Sequence, residues 1–533
     1  MRFHFRSFLL PVLLGFILIA AQSPASHGQA RPAPPQLHGA YRFERANWVY
    51  VHLQGTPHQI GFGNGYLLAP EIEDGFHAIR LEDTHATHRS WDFYRATAKN
   101  VYWPHIEAEY RQELQGIADG VKAHGITDMD IWDVVAINGF NETDEYYVPY
   151  LESKEHPTAI ASLTPRGRCS AFVATGDWTR DHKPVIAHSL WSPFLEGERW
   201  RIMYDIVPQH GYRILMDGWP GKIDSGDDFG INAAGMAITE TTITGFHGFD
   251  PNAVPEFVRA RKAMQYSANV DDFEELMVTG NNGGYANDWL VADNRTGEVA
   301  RLELGLKYHR LWRTRNGYFV GSNFPSDPAL TREETDFNPN DPGNTANARH
   351  KRWKQLMAQD KGQIDASLAQ KFLADHFDAY TGKLGANERT LCGHVDVSER
   401  GIPEWGDPPF EPGGATNAKA ADSSMISKMS FVARTNRPCG EDFLVGPFLA
   451  KHPEFAWQKP SLTDMKGTPW AMFQANDHLS STGVAAETVN ASIGSFRSAA
   501  FHGDIAPQSV RNCQGRNTNR QSCIWFNSRR SLR

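Results

Sequence analysis

Cysteine is scarce in this chain, with five among 533 residues. No two of them form a C-x-x-C pair, which removes the usual zinc-ribbon and thioredoxin-type signatures. G-x-S-x-G, H-E-x-x-H and G-x-x-x-x-G-K-[ST] are absent as well, excluding the common serine-hydrolase elbow, the zincin helix and the phosphate-binding loop. An excess of positive charge is also missing. Lys and Arg number 53 against 62 Asp and Glu, for a net charge of -9, so the chain has no electrostatic footprint for nucleic acid. The Arg-rich end, from Arg511 through Arg529, Arg530 and Arg533, reads as a solvated tail.

Long apolar runs are confined to the start. Arg2 and Arg6 precede the run Phe8 to Ala21, and a small, polar stretch from Ala25 to Ala30 follows. That is a signal-peptide pattern over residues 1–30. At roughly 14 residues the run is too short to span a bilayer, and no later stretch is apolar enough to anchor the protein. The expected product is secreted or periplasmic, with no integral membrane anchor.

Such a compartment gives the odd cysteine count meaning. Cys513 and Cys523 lie ten apart in the polar tail, while Cys392 and Cys439 flank a loop-rich region. These four can form two disulfides, which leaves Cys169 over. On residue type alone Cys169 is a small buried hydrophobe. Its position argues otherwise: a polar stretch from Glu152 ends in Pro165, Arg166, Gly167 and Arg168, and β-type sequence starts at Cys169.

Apolar periodicity separates two regions. Residues 41–150 are mainly helical after one strand at Trp48 to Leu53; Tyr110, Leu114, Ile117, Ala118 and Val121 share one helix face. From Cys169 on, short runs predict strands: Cys169 to Thr175, Pro184 to Leu190, Arg201 to Val207, Tyr212 to Met216, Gly230 to Asn232, Gly235 to Ile243, Trp289 to Ala292 and Val299 to Leu304. Asp181, His182, Lys183 and Pro184 turn the first of these back on the second. Helical patterns recur at Glu256 to Tyr266, Asp271 to Val278, Ala346 to Gln359 and Ala366 to Phe377. The class is α+β with mostly antiparallel sheets. The expected organisation is a signal peptide (1–30), a mainly helical pro-segment or light chain (31–168) and a catalytic domain with a polar tail (169–533).

The motifs around Cys169 resemble a known family. His188, Ser189, Leu190, Trp191 is similar to the His-x-x-Trp of phospholipase B-like proteins, and Glu240, Thr241, Thr242 to their Glu-Thr-Thr segment. Asn287, Asp288, Trp289 matches an Asn-x-Trp, Arg349 with Trp353 an arginine followed by an aromatic, and Gly414 to Lys419 a further block. Gly55 to Glu71 and Leu114 to Gly120 resemble the leader of the related acyltransferases that include isopenicillin N acyltransferase. Both groups are N-terminal-nucleophile hydrolases, so the resemblance implies an α-β-β-α sandwich and self-cleavage between Arg168 and Cys169.

Chemistry makes sense of that cut. A thiol at a chain start has its own base, an α-amino group with a pKa of about 7.7–8.0. An internal Cys169 has no such amine. On this reading Cys169 is the nucleophile, Asn287 donates to the oxyanion, and His188 orients the amine or the substrate. Thr241 or Thr242 holds the amine, Arg349 anchors a carboxylate or stabilises the oxyanion, and Trp191 and Thr242 line the substrate site. The substrate is a small acyl compound or lipid, and the cut fragments stay together. No cofactor is expected. Neither is a metal: the acidic loop at Asp336, Asn338, Asn340 and Asp341 lacks the Gly and Glu of a calcium loop. Transfer of the acyl group to an amine, and a non-enzymatic binding protein with a structural Cys169, are the alternatives.

Overall fold

The computed structural model describes residues 35–155, 169–226 and 229–478. The signal-peptide pattern, the stretch before Cys169 including Arg168, and the tail with Cys513 and Cys523 lie outside these residues.

Seventeen strands occur among them. The first twelve are β1 (Tyr41–Arg45), β2 (Trp48–Gly55), β3 (Cys169–Thr175), β4 (Val185–Pro193), β5 (Ile202–Pro208), β6 (Ile214–Gly218), β7 (Gly230–Asn232), β8 (Met236–Thr239), β9 (Asn287–Asp293), β10 (Glu298–Leu304), β11 (His309–Thr314) and β12 (Gly317–Gly321). The rest are β13 (Phe377–Asp378), β14 (Lys383–Leu384), β15 (Gly413–Asp422), β16 (Ser430–Thr435) and β17 (Ala471–Gln474). One sheet has nine strands in the order β1-β2-β5-β6-β7-β8-β9-β10-β11, and a second has six in the order β12-β3-β4-β15-β16-β17. Every pairing is antiparallel but one: β2 lies parallel to β5.

Side-chain alternation along the strands builds the layers. On β3, Ala171 and Val173 face the apolar cluster shared with Met203, Leu215 and Leu290 of the other sheet. Phe172 and Ala174 face outward, onto Trp353, Leu356 and Phe372 of the helices Thr345–Gln359 and Ala366–Leu373. Beyond the nine-stranded sheet, Val49, Val51, Ile202 and Val291 pack on residues of the helices Pro57–Leu67, Ala69–Thr87 and Ala108–His124. The result is helices, sheet, sheet, helices: the four layers that the resemblance implies.

Residues 35–155 do not stand apart from this sandwich. They supply β1 and β2 to the nine-stranded sheet, and they fall with the later described residues in one unit, Pro32–Gly483. The leader glycines have a packing role. A Cβ on Gly61 would sit 1.8 Å from the Glu113 carbonyl oxygen, and one on Gly65 would sit 2.0 Å from that of Ile117. In return, Gly116 approaches His58 and Gly120 approaches Phe62. Two helices therefore touch backbone to backbone along a stripe with no side chains.

The expected elements differ mainly at their ends. The strand predicted over Gly235 to Ile243 ends at Thr239, and Glu240 to Thr242 continue beside β9 through a single bridge, Thr242 to Asn287. The helix expected to reach Phe377 stops at Leu373. Strands β1, β11, β12 and β13 to β17 were not expected. Among the described residues, no helix is long and apolar enough to cross a membrane.

The glycine stripe gives a paired prediction. Gly61→Ala should destabilise the protein by roughly 1–3 kcal/mol or more in urea unfolding, because backbone atoms must move. Gly446→Ala, in the helix Val445–Lys451 with nothing within 4 Å of the added carbon, should be neutral or stabilising by up to about 1 kcal/mol.

Candidate active site

The β3–β4 hairpin sets the geometry. Its register pairs Cys169 with Leu190 and Ala171 with His188. Cys169 shares parity with Ala171 and Val173, and His188 with Ile186, so both point to the side where the two sheets meet. Both are fully buried.

Glu240 joins them. The Cys169 Sγ lies 3.7 Å from its Oε1, and the sulfur, a His188 ring nitrogen and a Glu240 carboxylate oxygen all fall within 4.8 Å of one another. Close by is the phenol of Tyr285. Burial raises its pKa well above the ordinary value, with the Glu240 and Cys169 charges adding to the effect. It therefore stays a neutral donor.

Arg349 holds the other side of Cys169. From the helix Thr345–Gln359 its Nη1 donates to the Cys169 carbonyl oxygen at 2.5 Å and to the Ser170 hydroxyl at 3.1 Å. Its Nη2 donates to the Asn323 Oδ1 at 2.7 Å. That same oxygen accepts the backbone N–H of Cys169 at 3.4 Å. The Trp191 ring lies under the guanidinium, 4.4 Å from its carbon to the ring centroid, with Trp405 at 5.6 Å. Burial pushes the Arg349 pKa down to about 9, while Cys169 and Glu404 pull upward. The group remains a cation at neutral pH.

The remaining predicted residues sit on adjoining segments. Asn323 donates to the Thr242 carbonyl oxygen at 2.8 Å, and Thr242 bridges to Asn287. Asn287 is fully buried, and among the described residues neither its amide oxygen nor its nitrogen has a hydrogen-bond partner. Such an amide is costly unless something binds it. The Thr241 hydroxyl is likewise unpartnered. It faces the backbone of Gly321, where an added Cβ would come within 2.6 Å of its Oγ1. The Thr241 or Thr242 hydroxyl is expected to hold the free amine; the backbone N–H of Cys169 donates to the Asn323 Oδ1.

Asn323, Glu240 and Tyr285 were not among the expected site residues. Asn323 has φ +66 and Tyr285 φ +47. A non-glycine residue at positive φ is costly and marks functional turns, but sequence does not show φ. Glu240 was visible as the first residue of the Glu-Thr-Thr segment.

Residues 81–303 match the phospholipase B family model. Over that span, about 42% of the chain, the sequence is similar to the phospholipase B family. The span includes Cys169, His188, Trp191, Glu240, Thr241, Thr242 and Asn287, and it stops before Asn323 and Arg349. Similar curated proteins include a Caenorhabditis elegans phospholipase B-like 1, 29% identical over 40% of this chain and 38% of its own length. A Bos taurus phospholipase B-like 1 is 20% identical over 44% of this chain and 47% of its own length. The alignments thus span less than half of each relative. A conjugated bile acid hydrolase from Clostridium perfringens covers 50% of this chain and 89% of its own, at 9% identity and a TM-score of 0.30, a likeness too slight to carry an argument.

Arg349 is the clearest target. Arg349→Met should cost roughly 2–4 kcal/mol in urea unfolding, because it removes the charged donor from the buried Cys169 carbonyl and Asn323 amide oxygen. Arg349→Lys should not recover the loss, since an ammonium cannot reproduce the two-pronged donor geometry. A lysine variant as stable as wild type would contradict the role given to the fork.

Proposed function

We propose that the protein is an exported, self-processed cysteine hydrolase acting on acyl amide or ester bonds, with phospholipids among the substrates to test. The observation that carries this reading is the setting of Cys169: a buried thiol beside Glu240 and His188, with its own N–H and C=O held by Asn323 and Arg349.

Self-processing would begin with attack of the Cys169 sulfur on the carbonyl carbon of residue 168. The S–C bond forms, the C–N bond breaks, and the Cys169 nitrogen takes up a proton. Water then hydrolyses the thioester, leaving a free amine and a free thiol on Cys169. From that point the amine is the base beside the sulfur. The Asn323 amide oxygen, already the acceptor for this nitrogen, would hold the amine in place. Glu240, 3.7 Å from the sulfur, supplies a second polar partner, and Tyr285 a neutral donor.

In turnover the thiolate attacks the substrate carbonyl, the leaving alcohol or amine departs with a proton, and water releases the acid. The unpartnered Asn287 amide fits the developing oxyanion. The two strands from residues 35–155 lie within the nine-stranded sheet, which supports continued association of the fragments after cutting. The family likeness suggests a lipid ester, and the substrate rests on that likeness.

Two outcomes test this reading. Cys169→Ala should abolish release of free acid from acyl amides and phospholipids, and Asn287→Ala should lower kcat by roughly 10²- to 10³-fold with a smaller effect on KM. Activity should rise with pH through about 8 as the amine loses its proton. Full activity of the Cys169→Ala protein would sink the proposal. Acylated product in place of free acid, when an amine is added, would reassign the protein as a transferase.

A further inference from the structure

Away from the active site, two cysteines and two histidines from three loop segments converge. His376 precedes β13, Cys392 and His394 lie in the loop after Thr390, and Cys439 follows β16. The His376 and His394 Nε2 atoms are 3.2 Å apart. The Cys392 and Cys439 Sγ atoms each lie 3.5 Å from the His394 Nε2. All four ligand atoms fall within 4.8 Å of one another, and Cys392 and His394 are buried.

Hydrogen bonding does not account for this arrangement. The His394 Nε2 has either one proton or one lone pair, yet three ligand-type atoms crowd it within 3.5 Å. A central cation satisfies all four at once. With Zn–S near 2.3 Å and Zn–N near 2.0–2.1 Å, a tetrahedron has N–N edges of about 3.3 Å and S–N edges of about 3.5 Å. The observed separations are 3.2 and 3.5 Å.

The geometry points to a structural zinc site formed by His376, Cys392, His394 and Cys439. Two sulfur and two nitrogen donors in tetrahedral array select zinc among the common divalent ions. Four protein ligands leave no open position, so the ion is structural and not catalytic. This departs from two expectations from the sequence: that no metal is bound, and that Cys392 and Cys439 are among four cysteines joined in two disulfides. In the structure both cysteines are free. The spacing carries no metal-site signature, because only Cys392 and His394 are near neighbours; His376 lies 16 residues before Cys392 and Cys439 lies 45 after His394.

The surroundings are organised for this role. Backbone N–H of Cys392 donates to the Asp375 carbonyl oxygen at 3.1 Å, which draws His376 alongside. His394 bridges to Gly414 of β15, and Ala415 donates to the Gly393 carbonyl oxygen at 2.9 Å. Glu441 lies 3.9 Å from the His394 Nδ1, within reach through one water, as outer carboxylates of metal-bound imidazoles commonly are. Between the two buried ligands, Gly393 lies flat on Trp191, whose ring atoms would be 2.1–2.5 Å from an added Cβ. Trp191 in turn stacks on Arg349. The ion would therefore brace the wall behind the guanidinium that holds Cys169.

Elemental analysis of the purified full-length chain tests the site. One zinc per chain should survive dialysis and remain in Cys169→Ala, which disables the other convergence of ligand-type groups, Cys169, His188 and Glu240. Cys392→Ser and His376→Ala should each reduce zinc to a trace. Because Cys392→Ser can fail to fold, cobalt(II) is also substituted into the wild-type protein, where the intense thiolate-to-cobalt bands of a tetrahedral site are expected. Metal-free protein, with the two thiols either both alkylatable or joined in a disulfide by non-reducing mass spectrometry, would overturn the assignment. So would zinc that is lost with Cys169→Ala and kept in His376→Ala.

Discussion

A buried positive charge organises the centre of this molecule. Arg349 has no exposed surface, and burying a guanidinium is tolerated only where acceptors and ring faces replace water. Here the replacements are the Cys169 carbonyl, the Ser170 hydroxyl, the Asn323 amide oxygen and the indole of Trp191. They come from β3, β4 and the turn after β12, so the charge cannot be satisfied unless these three and the helix Thr345–Gln359 all reach their places. The position of Cys169 follows from that requirement: its carbonyl is pinned from one side and its N–H from the other.

The fold surrounding this centre serves the same end. Two sheets place Cys169 and His188 on their facing sides, and the end of β12 comes close enough for Gly321 to meet Thr241. Residues 35–155 add two strands and a glycine-striped pair of helices to the same sandwich. A cut before Cys169 would leave those contacts intact, since none of them depends on the bond between residues 168 and 169. Self-cleavage and a stable, associated product are thus compatible in one architecture.

Much of this was legible in the sequence, for identifiable reasons. Cys169 to Thr175 is an unbroken β-type run after a polar stretch, and the structure has a strand over those same residues. The helix Glu256–Tyr266 likewise has its expected bounds, because its apolar period is clean. Asn287, His188 and Arg349 were singled out by motif order, and the structure places all three on segments that meet around Cys169. What escaped was whatever depends on tertiary approach. Asn323 acts from a left-handed turn, which residue type does not reveal. The convergence of His376, Cys392, His394 and Cys439 spans three loops with no regular spacing. The leader glycines were visible as a pattern, but their reason, backbone contact between two helices, needed coordinates.

The decisive measurement is the intact mass and N-terminal sequence of the purified protein under denaturing conditions. The account predicts two fragments, the second beginning with Cys169, and a single uncut chain when Cys169 is replaced by alanine. A wild-type chain that turns over substrate while uncut at that bond would contradict it.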